Sequence, residues 1–274
     1  IVFHLAAQPL VRQSYIDPAT TFSTNVMGTV SLFEAVRDSD SVRAVLNVTT
    51  DKCYLERDSL WGYREDDSVG GRDPYSSSKA CSELVSTAFR NSFFRKAGIG
   101  LATARAGNVI GGGDWAKDRI VPDAVRAFGD GQVLMVRNPK AIRPWQHVLE
   151  ALSGYLVLCQ NLYSHPDRFA DAWNFGPRDD DAQPVRVIAD QMADMWGDGA
   201  AWDKETGEHP EEAFYLKLDC SKARMYLNYR PTWTLQKTLN EVVLWHKAYA
   251  NMASMDSFTL GQIAEFEKDL IANG

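Results

Sequence analysis

A chain of 274 residues with 45% hydrophobic residues can build a sizeable core, as one large domain or two modest ones. A formal net charge of −7 with no basic block gives no footing for nucleic-acid binding. No apolar run approaches the roughly 18 residues of a membrane span, so no membrane association is expected.

The first residue is Ile, and residues 1–7 (IVFHLAA) read as a strand buried on both faces. No basic leader precedes it, which speaks against a secretory signal and for a chain that starts inside a fold. Asp17-Pro18 announces a helix, with Asp as N-cap and Pro at the first helical position. Phe22, Val26, Val30, Phe33 and Val36 follow at steps of three and four, an amphipathic face. Residues 44–48 form a second strand, and 51–74 a polar loop rich in Gly and Asp. A helix over 75–96 ends at Gly98, and 100–106 is a third strand. This rhythm implies a parallel sheet with helices on its faces.

Beyond Asn108 the pattern changes. Gly111-Gly112-Gly113 is a loop, 120–128 a short helix and 133–136 a short strand. A strongly apolar helix spans 148–164, a sheet strand 172–175 and another helix 185–196. A small strand at 215–218, a short helix at 221–227 and helices over 234–251 and 257–272 complete the chain. There are no repeats and no low-complexity tract. Cys53, Cys81, Cys159 and Cys220 are scattered with no CxxC pair, which reads as reduced thiols in a cytoplasmic protein, with neither a disulfide framework nor a metal site. Trp173, Trp196, Trp202, Trp233 and Trp245 read as packing residues.

Tyr75-Ser76-Ser77-Ser78-Lys79 puts a phenol and an ammonium on one helix face, about 6 Å apart along the axis. A nearby ammonium favours the phenolate, and such a tyrosine can take a proton from an alcohol at neutral pH. The spacing alone also fits an ordinary solvated helix. Its position between the second and third strands, with Thr50 at the carboxyl edge where open α/β sheets bind ligands, points to chemistry. Thr, Tyr and Lys together suit oxidation of an alcohol by hydride transfer to a nicotinamide.

With these residues the chain resembles the extended short-chain dehydrogenase/reductases of the sugar-nucleotide epimerase and dehydratase group. The resemblance also rests on His4-Leu5-Ala6-Ala7-Gln8, Asn25-Val26-Met27-Gly28-Thr29, Arg105-Ala106-Gly107-Asn108-Val109 and Arg143-Pro144-Trp145-Gln146-His147-Val148, in the family's order. Dehydratases of this group carry an Asp-Glu pair after the catalytic Thr. Here Asp51 keeps the acid and Lys52 replaces Glu. With Trp61-Gly62-Tyr63-Arg64-Glu65, Gly112-Gly113-Asp114-Trp115 and Ile142-Arg143-Pro144-Trp145, this is most similar to the CDP-glucose branch of those enzymes.

The resemblance implies an α/β fold: a Rossmann-like doubly wound parallel sheet, truncated at its N-terminus, with a smaller C-terminal α/β substrate domain. Residues 1–107 plus about 144–176 would form the partial NAD-binding domain, and 108–143 plus 177–274 the sugar-nucleotide domain. It implies NAD as cofactor, held by Leu5, Ala6, Ala7, Asn25, Thr49, Tyr75 and Lys79. Thr50, Asp51, Lys52, Tyr75 and Lys79 would be catalytic. Tyr75 would deprotonate the sugar 4-hydroxyl as the C4 hydride leaves, Lys52 would take the C5 proton, and Asp51 would protonate the departing 6-hydroxyl. Lys52 must be neutral for this, and burial beside other positive charge favours that state. Asp51 must be protonated, which a closed apolar site favours.

Asn108, Arg119, Arg143 and His147 would bind the nucleotide sugar, the arginines through its pyrophosphate. The segment 208–213, which precedes 214–219, would line the nucleotide pocket, and Gly111–Gly113 the sugar side. A homodimer or higher homo-oligomer would pair through the helices near 17–38 and 75–96, whose outer faces carry Leu32 and Phe93. No GxxGxxG or GxGxxG turn precedes His4, so the resemblance implies that three strands, on the order of 75 residues, come before Ile1. Without them the first strand is an exposed apolar edge and NAD binding by these residues alone is expected to be poor. A 4-epimerase, a dehydratase of another nucleotide sugar and an inactive nucleotide-sugar-binding fragment remain open at this point.

Overall fold

The computed structural model describes residues 1–57, 61–207 and 215–273. These form two units, one of Ile1–Gly107, Leu152–Phe175 and Leu218–Tyr229, the other of Asn108–Ala151, Gly176–Lys217 and Arg230–Gly274.

In the first unit four strands pair in parallel. Strand β1 (Val2–His4) lies at one edge, followed by β2 (Ala44–Val48), β3 (Gly100–Ala106) and the strand Ala172–Phe175. β2 and β3 are buried along almost their whole length because both faces are covered, and the polar Asn47, Thr103 and Arg105 are buried within them. The first strand is shorter than its apolar run predicts and is not buried on both faces: Phe3 and Leu5 are exposed.

Helix α1 (Val11–Ile16), unforeseen in the sequence, precedes α2 (Pro18–Phe22). Asp17 caps α2 as expected, its carboxylate accepting from the Thr20 amide at 3.0 Å. A π-helical turn, Ser23–Met27, then leads into α3 (Gly28–Arg37). The turn adds a residue to the helical repeat and rotates the face that was expected. Phe33 and Val36 are in the core, but Phe22 is exposed, and Thr21, Asn25 and Thr29 are buried. Helix α4 (Pro74–Phe89) meets two of those groups: Asn25 Nδ2 donates to Ser78 Oγ at 2.8 Å, and the Thr29 and Ser82 hydroxyls lie 3.0 Å apart. The Thr21 hydroxyl donates to the Asp17 carbonyl at 2.9 Å and accepts from Gln8 Nε2 at 2.8 Å. From the sheet, Asn47 Nδ2 donates to Ser82 and Ser86. A second π-turn, Arg90–Phe94, and a last turn, Arg95–Ala97, prolong α4 to Gly98, which ends it in the left-handed conformation (φ 67°).

The second unit is built on helices Ile120–Gly129, Val185–Trp196 and Leu235–Ala250, whose apolar faces share a core of Val121, Phe128, Ile188, Met192, Leu239 and Val242. Leu134–Val136 pairs in parallel with Trp202–Lys204, Val109–Ile110 in parallel with Gln146–His147, and Ile142–Pro144 antiparallel with Ala182–Pro184. The strand expected at 215–218 reduces to two single bridges, Tyr215 to Ile142 and Leu218 to Tyr63. Gly111–Gly113 lies in this unit, with Gly112 against the Trp245 indole. The segment 208–214 lies outside the described residues. The four cysteines are free, and no described helix is long and apolar enough to cross a membrane.

Candidate active site

Helix α4 begins sharply. Asp73 accepts from the Ser76 amide at 2.9 Å and Pro74 occupies the first turn. Tyr75 therefore sits in the first turn and Lys79 one turn later on the same face; both are buried. The Tyr75 amide donates to Ser14 Oγ at 3.1 Å, which ties α1 to the start of α4. Lys79 Nζ donates to the Val48 carbonyl at 3.2 Å, so the ammonium lies at the carboxyl end of β2. Burial pushes Lys79 down to about 8, against the opposing charge of Glu83.

Two residues past Val48 the chain leaves the sheet. Thr49 still pairs with β3, its amide donating to the Ala104 carbonyl at 2.8 Å. Thr50 caps a 3₁₀ turn of Asp51–Cys53: its hydroxyl accepts from the Lys52 amide at 3.3 Å and donates to Asp51 Oδ1 at 3.1 Å. Asp51 is buried and Lys52 half-buried. Asp51 presses on Gly107: a Cβ at that position would lie 1.8 Å from Asp51 Oδ2. The turn packs against α4. The first unit thus brings Thr50, Asp51 and Lys52 to the helix that carries Tyr75 and Lys79.

The residues expected at the cofactor divide into two kinds. Leu5 and Ala6 are exposed beyond the end of β1. Asn25 holds that segment in place, accepting from the Gln8 amide at 2.8 Å and donating to the Gln8 carbonyl at 3.0 Å. Both of its amide N–H groups are engaged, the second by Ser78. The Thr49 hydroxyl donates inward to Glu83 Oε1 at 2.5 Å and is not turned toward a ligand.

Sequence reasoning missed Glu83, Arg105 and Tyr54 as members of this region. Glu83 continues the four-residue series from Tyr75 and Lys79, a signal that was available. Burial opposes its anion, yet Arg105 and the Thr49 and Thr103 hydroxyls hold its carboxyl below the usual range.

Asn108, Arg119, Arg143 and His147 belong to the second unit. Asn108 has a left-handed backbone (φ 44°), and its carbonyl accepts from the Gln146 amide at 3.3 Å. His147 follows on that strand, and buried Arg143 lies on the preceding one. Arg119, half exposed at the start of helix Ile120–Gly129, pairs with Asp114 at 3.1 Å. His147 is buried against Trp233, with ring centroids 4.9 Å apart. Burial pushes it down to about 4, so the ring is neutral. Nδ1 accepts from the Leu149 amide, which leaves the proton on Nε2, buried with no partner among the described residues. Trp233, read as packing, also shapes this site.

Residues 1–176 match the model of the NAD dependent epimerase/dehydratase family. The chain belongs to this family. As a family member it is 55% identical over 271 residues to CDP-glucose 4,6-dehydratase of Salmonella typhimurium, covering 97% of this chain and 76% of that protein. It is 23% identical to UDP-glucose 4-epimerase of Mycoplasma pneumoniae, covering 92% and 77%. Among solved structures, dTDP-glucose 4,6-dehydratase of Streptomyces venezuelae aligns with TM-score 0.78 at 24% identity, over 92% of this chain and 74% of that one. UDP-glucuronic acid 4-epimerase of Bacillus cereus aligns with TM-score 0.78 at 20% identity, over 90% and 76%. The α/β fold, a Rossmann-like parallel sheet with helices, is shared with these structures.

The family implies NAD, and the donor set at the sheet edge fits its nicotinamide end. Leu5 and Ala6 are exposed and Ala7 half-buried beyond β1, and Lys79 carries three N–H groups, of which Val48 takes one.

Proposed function

We propose that this protein is an NAD-dependent hydro-lyase that dehydrates CDP-glucose to CDP-4-keto-6-deoxyglucose. The observation that carries the reading is the Asp51–Lys52 turn packed against the helix of Tyr75 and Lys79. A 4-epimerase needs one acid–base site; a 4,6-dehydratase needs a second pair for C5 and C6. The 55% identity to a CDP-glucose enzyme supports the choice of nucleotide.

Tyr75 takes the proton of the sugar 4-hydroxyl, and the Lys79 ammonium favours the phenolate that does so. The Thr50 hydroxyl would turn its proton from Asp51 Oδ1 to the same oxygen. Residues 5–7, Tyr75 and Lys79 would hold NAD⁺, which would supply the hydride acceptor for C4 and, reduced, the hydride donor for C6. A carbonyl at C4 makes the C5 proton acidic. Lys52 is assigned the base that removes that proton, and Asp51 the acid that protonates the 6-hydroxyl. The C5–H and C6–O bonds break, a C5–C6 double bond forms and water leaves.

The nucleotide diphosphate is assigned to Arg119 and Arg143, whose guanidinium forks suit phosphate oxygens, and Asn108 to the same sugar-phosphate segment of the substrate. His147 is neutral and so serves as a hydrogen-bond donor through Nε2 and not as a charge. The reading makes the protein a cytoplasmic enzyme of deoxysugar and polysaccharide biosynthesis. It pairs as a homodimer or higher homo-oligomer through the helices of 17–38 and 75–96; Phe93 is exposed there, whereas Leu32, expected on the outer face, is half-buried against the core of Phe33 and Val36.

Incubation with NAD⁺ and CDP-glucose, dTDP-glucose or UDP-glucose tests this. The 4-keto-6-deoxy product, seen by its absorbance in base, is expected from CDP-glucose first. A product with an intact 6-hydroxyl overturns the dehydratase reading.

A further inference from the structure

The turn bearing Asp51 and Lys52 is tied down on both sides by one buried ion pair. Glu83 lies one turn beyond Lys79 on the same face of α4. Its two oxygens are both used: Oε1 accepts from Thr49 Oγ1 at 2.5 Å, and Oε2 accepts from Thr103 Oγ1 and Arg105 Nη2, each at 2.8 Å. Thr49 directly precedes Thr50. On the other side of the turn, Arg105 Nη1 donates to Tyr54 Oη at 2.8 Å and to the Glu65 carbonyl at 3.1 Å. The guanidinium carbon lies 4.8 Å from the centre of the Tyr54 ring. Tyr54 Oη in turn donates to Asn174 Oδ1 at 2.7 Å, and its ring stacks on Tyr63 at 5.1 Å.

We propose that Glu83, Arg105 and Tyr54 are positioning residues that hold the Asp51–Lys52 turn in register with the helix bearing Tyr75 and Lys79. None of the three is assigned to substrate or cofactor. Their effect on chemistry runs through Thr49 on one side of the turn and Tyr54 on the other. A buried ion pair is poor value as packing, since well-fitted apolar residues of equal volume often stabilise as much. Here the pair joins α4 to β3 and reaches both sides of the turn, through Thr49 from Glu83 and Tyr54 from Arg105, so it fixes the spacing between the oxidation and elimination residues. A displacement on the order of 1 Å at such a junction can slow a reaction about a hundredfold. The Glu83 carboxylate also faces Lys79 and helps to keep its ammonium charged against burial. The roles given to Asp51 and Lys52 rest on the dehydratase reading; the linkage does not.

The test is Tyr54→Phe, which keeps the ring and its stacking and removes the hydroxyl that joins Arg105 to Asn174. Amide hydrogen exchange of the peptide covering 50–57 needs no substrate and is expected to rise about tenfold while the sheet strands stay protected. In turnover with NAD⁺ and CDP-glucose, elimination is expected to slow about tenfold or more relative to C4 oxidation, seen as longer-lived reduced-nicotinamide absorbance. A second variant, Glu83→Gln, is expected to move the Lys79 titration, followed by NMR of its Nζ, below about 8. Exchange at 50–57 that is unchanged in Tyr54→Phe, or raised equally throughout the unit, overturns the proposal. A local rise in exchange in a protein that never dehydrates CDP-glucose upholds the linkage and overturns the dehydratase reading.

Discussion

Asp51 and Gly107 touch so closely that a single added carbon at 107 would meet Asp51 Oδ2 at 1.8 Å and Cγ at 2.3 Å. Gly107 follows β3, and Asp51 opens the turn after β2. The glycine therefore shapes the acid's seat.

Gly107→Ala is expected to displace Asp51, since the clash falls on a buried carboxylate at the head of a short turn. Overpacking of this kind costs about 1–3 kcal/mol. Elimination should fall about a hundredfold, while oxidation at C4, which uses Tyr75 and Lys79, changes little. Single-turnover measurement of the two steps checks this.

Lys52→Met keeps the length of the side chain and removes the base. C4 oxidation should persist and water loss stop, so that reduced nicotinamide accumulates with bound substrate. Steady turnover at the unmodified rate would remove Lys52 from the mechanism.

The Lys79 ammonium is lost as pH rises through about 8, because burial lowers it from the ordinary lysine range. The charged form, which favours the Tyr75 phenolate, is present below that pH. The rate of C4 oxidation should therefore carry a descending limb near pH 8. Lys79→Met should lose that limb and slow oxidation about a hundredfold or more, read from the pH profile of the first hydride transfer.

Asn25→Ala removes three buried hydrogen bonds, two to Gln8 and one to Ser78. Thermal unfolding should report a loss of about 1–3 kcal/mol. Because Asn25 holds the segment after β1, NAD⁺ affinity should fall as well, measured by titration calorimetry.

The strand–helix–strand order, the Asp17 cap and the Gly98 stop were legible because each depends on neighbours in sequence. The Phe22, Val26, Val30 face was misread because a regular repeat was assumed, and the π-turn Ser23–Met27 rotates the helix so that Thr21, Asn25 and Thr29 face inward. Asn25 and Thr29 are accommodated there because α4 presents Ser78 and Ser82 to them, which no local pattern reveals. The strand expected at 215–218 failed because Tyr215 and Leu218 bridge to different partners. Of the proposed site, Thr50, Asp51, Lys52, Tyr75 and Lys79 could be singled out from the chain, and the structure brings the turn of the first three against the helix of the other two. The contact that makes Gly107 necessary and the linkage through Arg105 and Tyr54 join residues distant in sequence and become visible only in three dimensions.

The most direct test of the account is the fate of the C4 hydrogen. CDP-glucose carrying deuterium at C4 should give a 4-keto-6-deoxy product with one deuterium at C6 and a C5 hydrogen drawn from solvent. Deuterium retained at C4, in a sugar that keeps its 6-hydroxyl, would contradict dehydration and turn the assignment toward epimerisation.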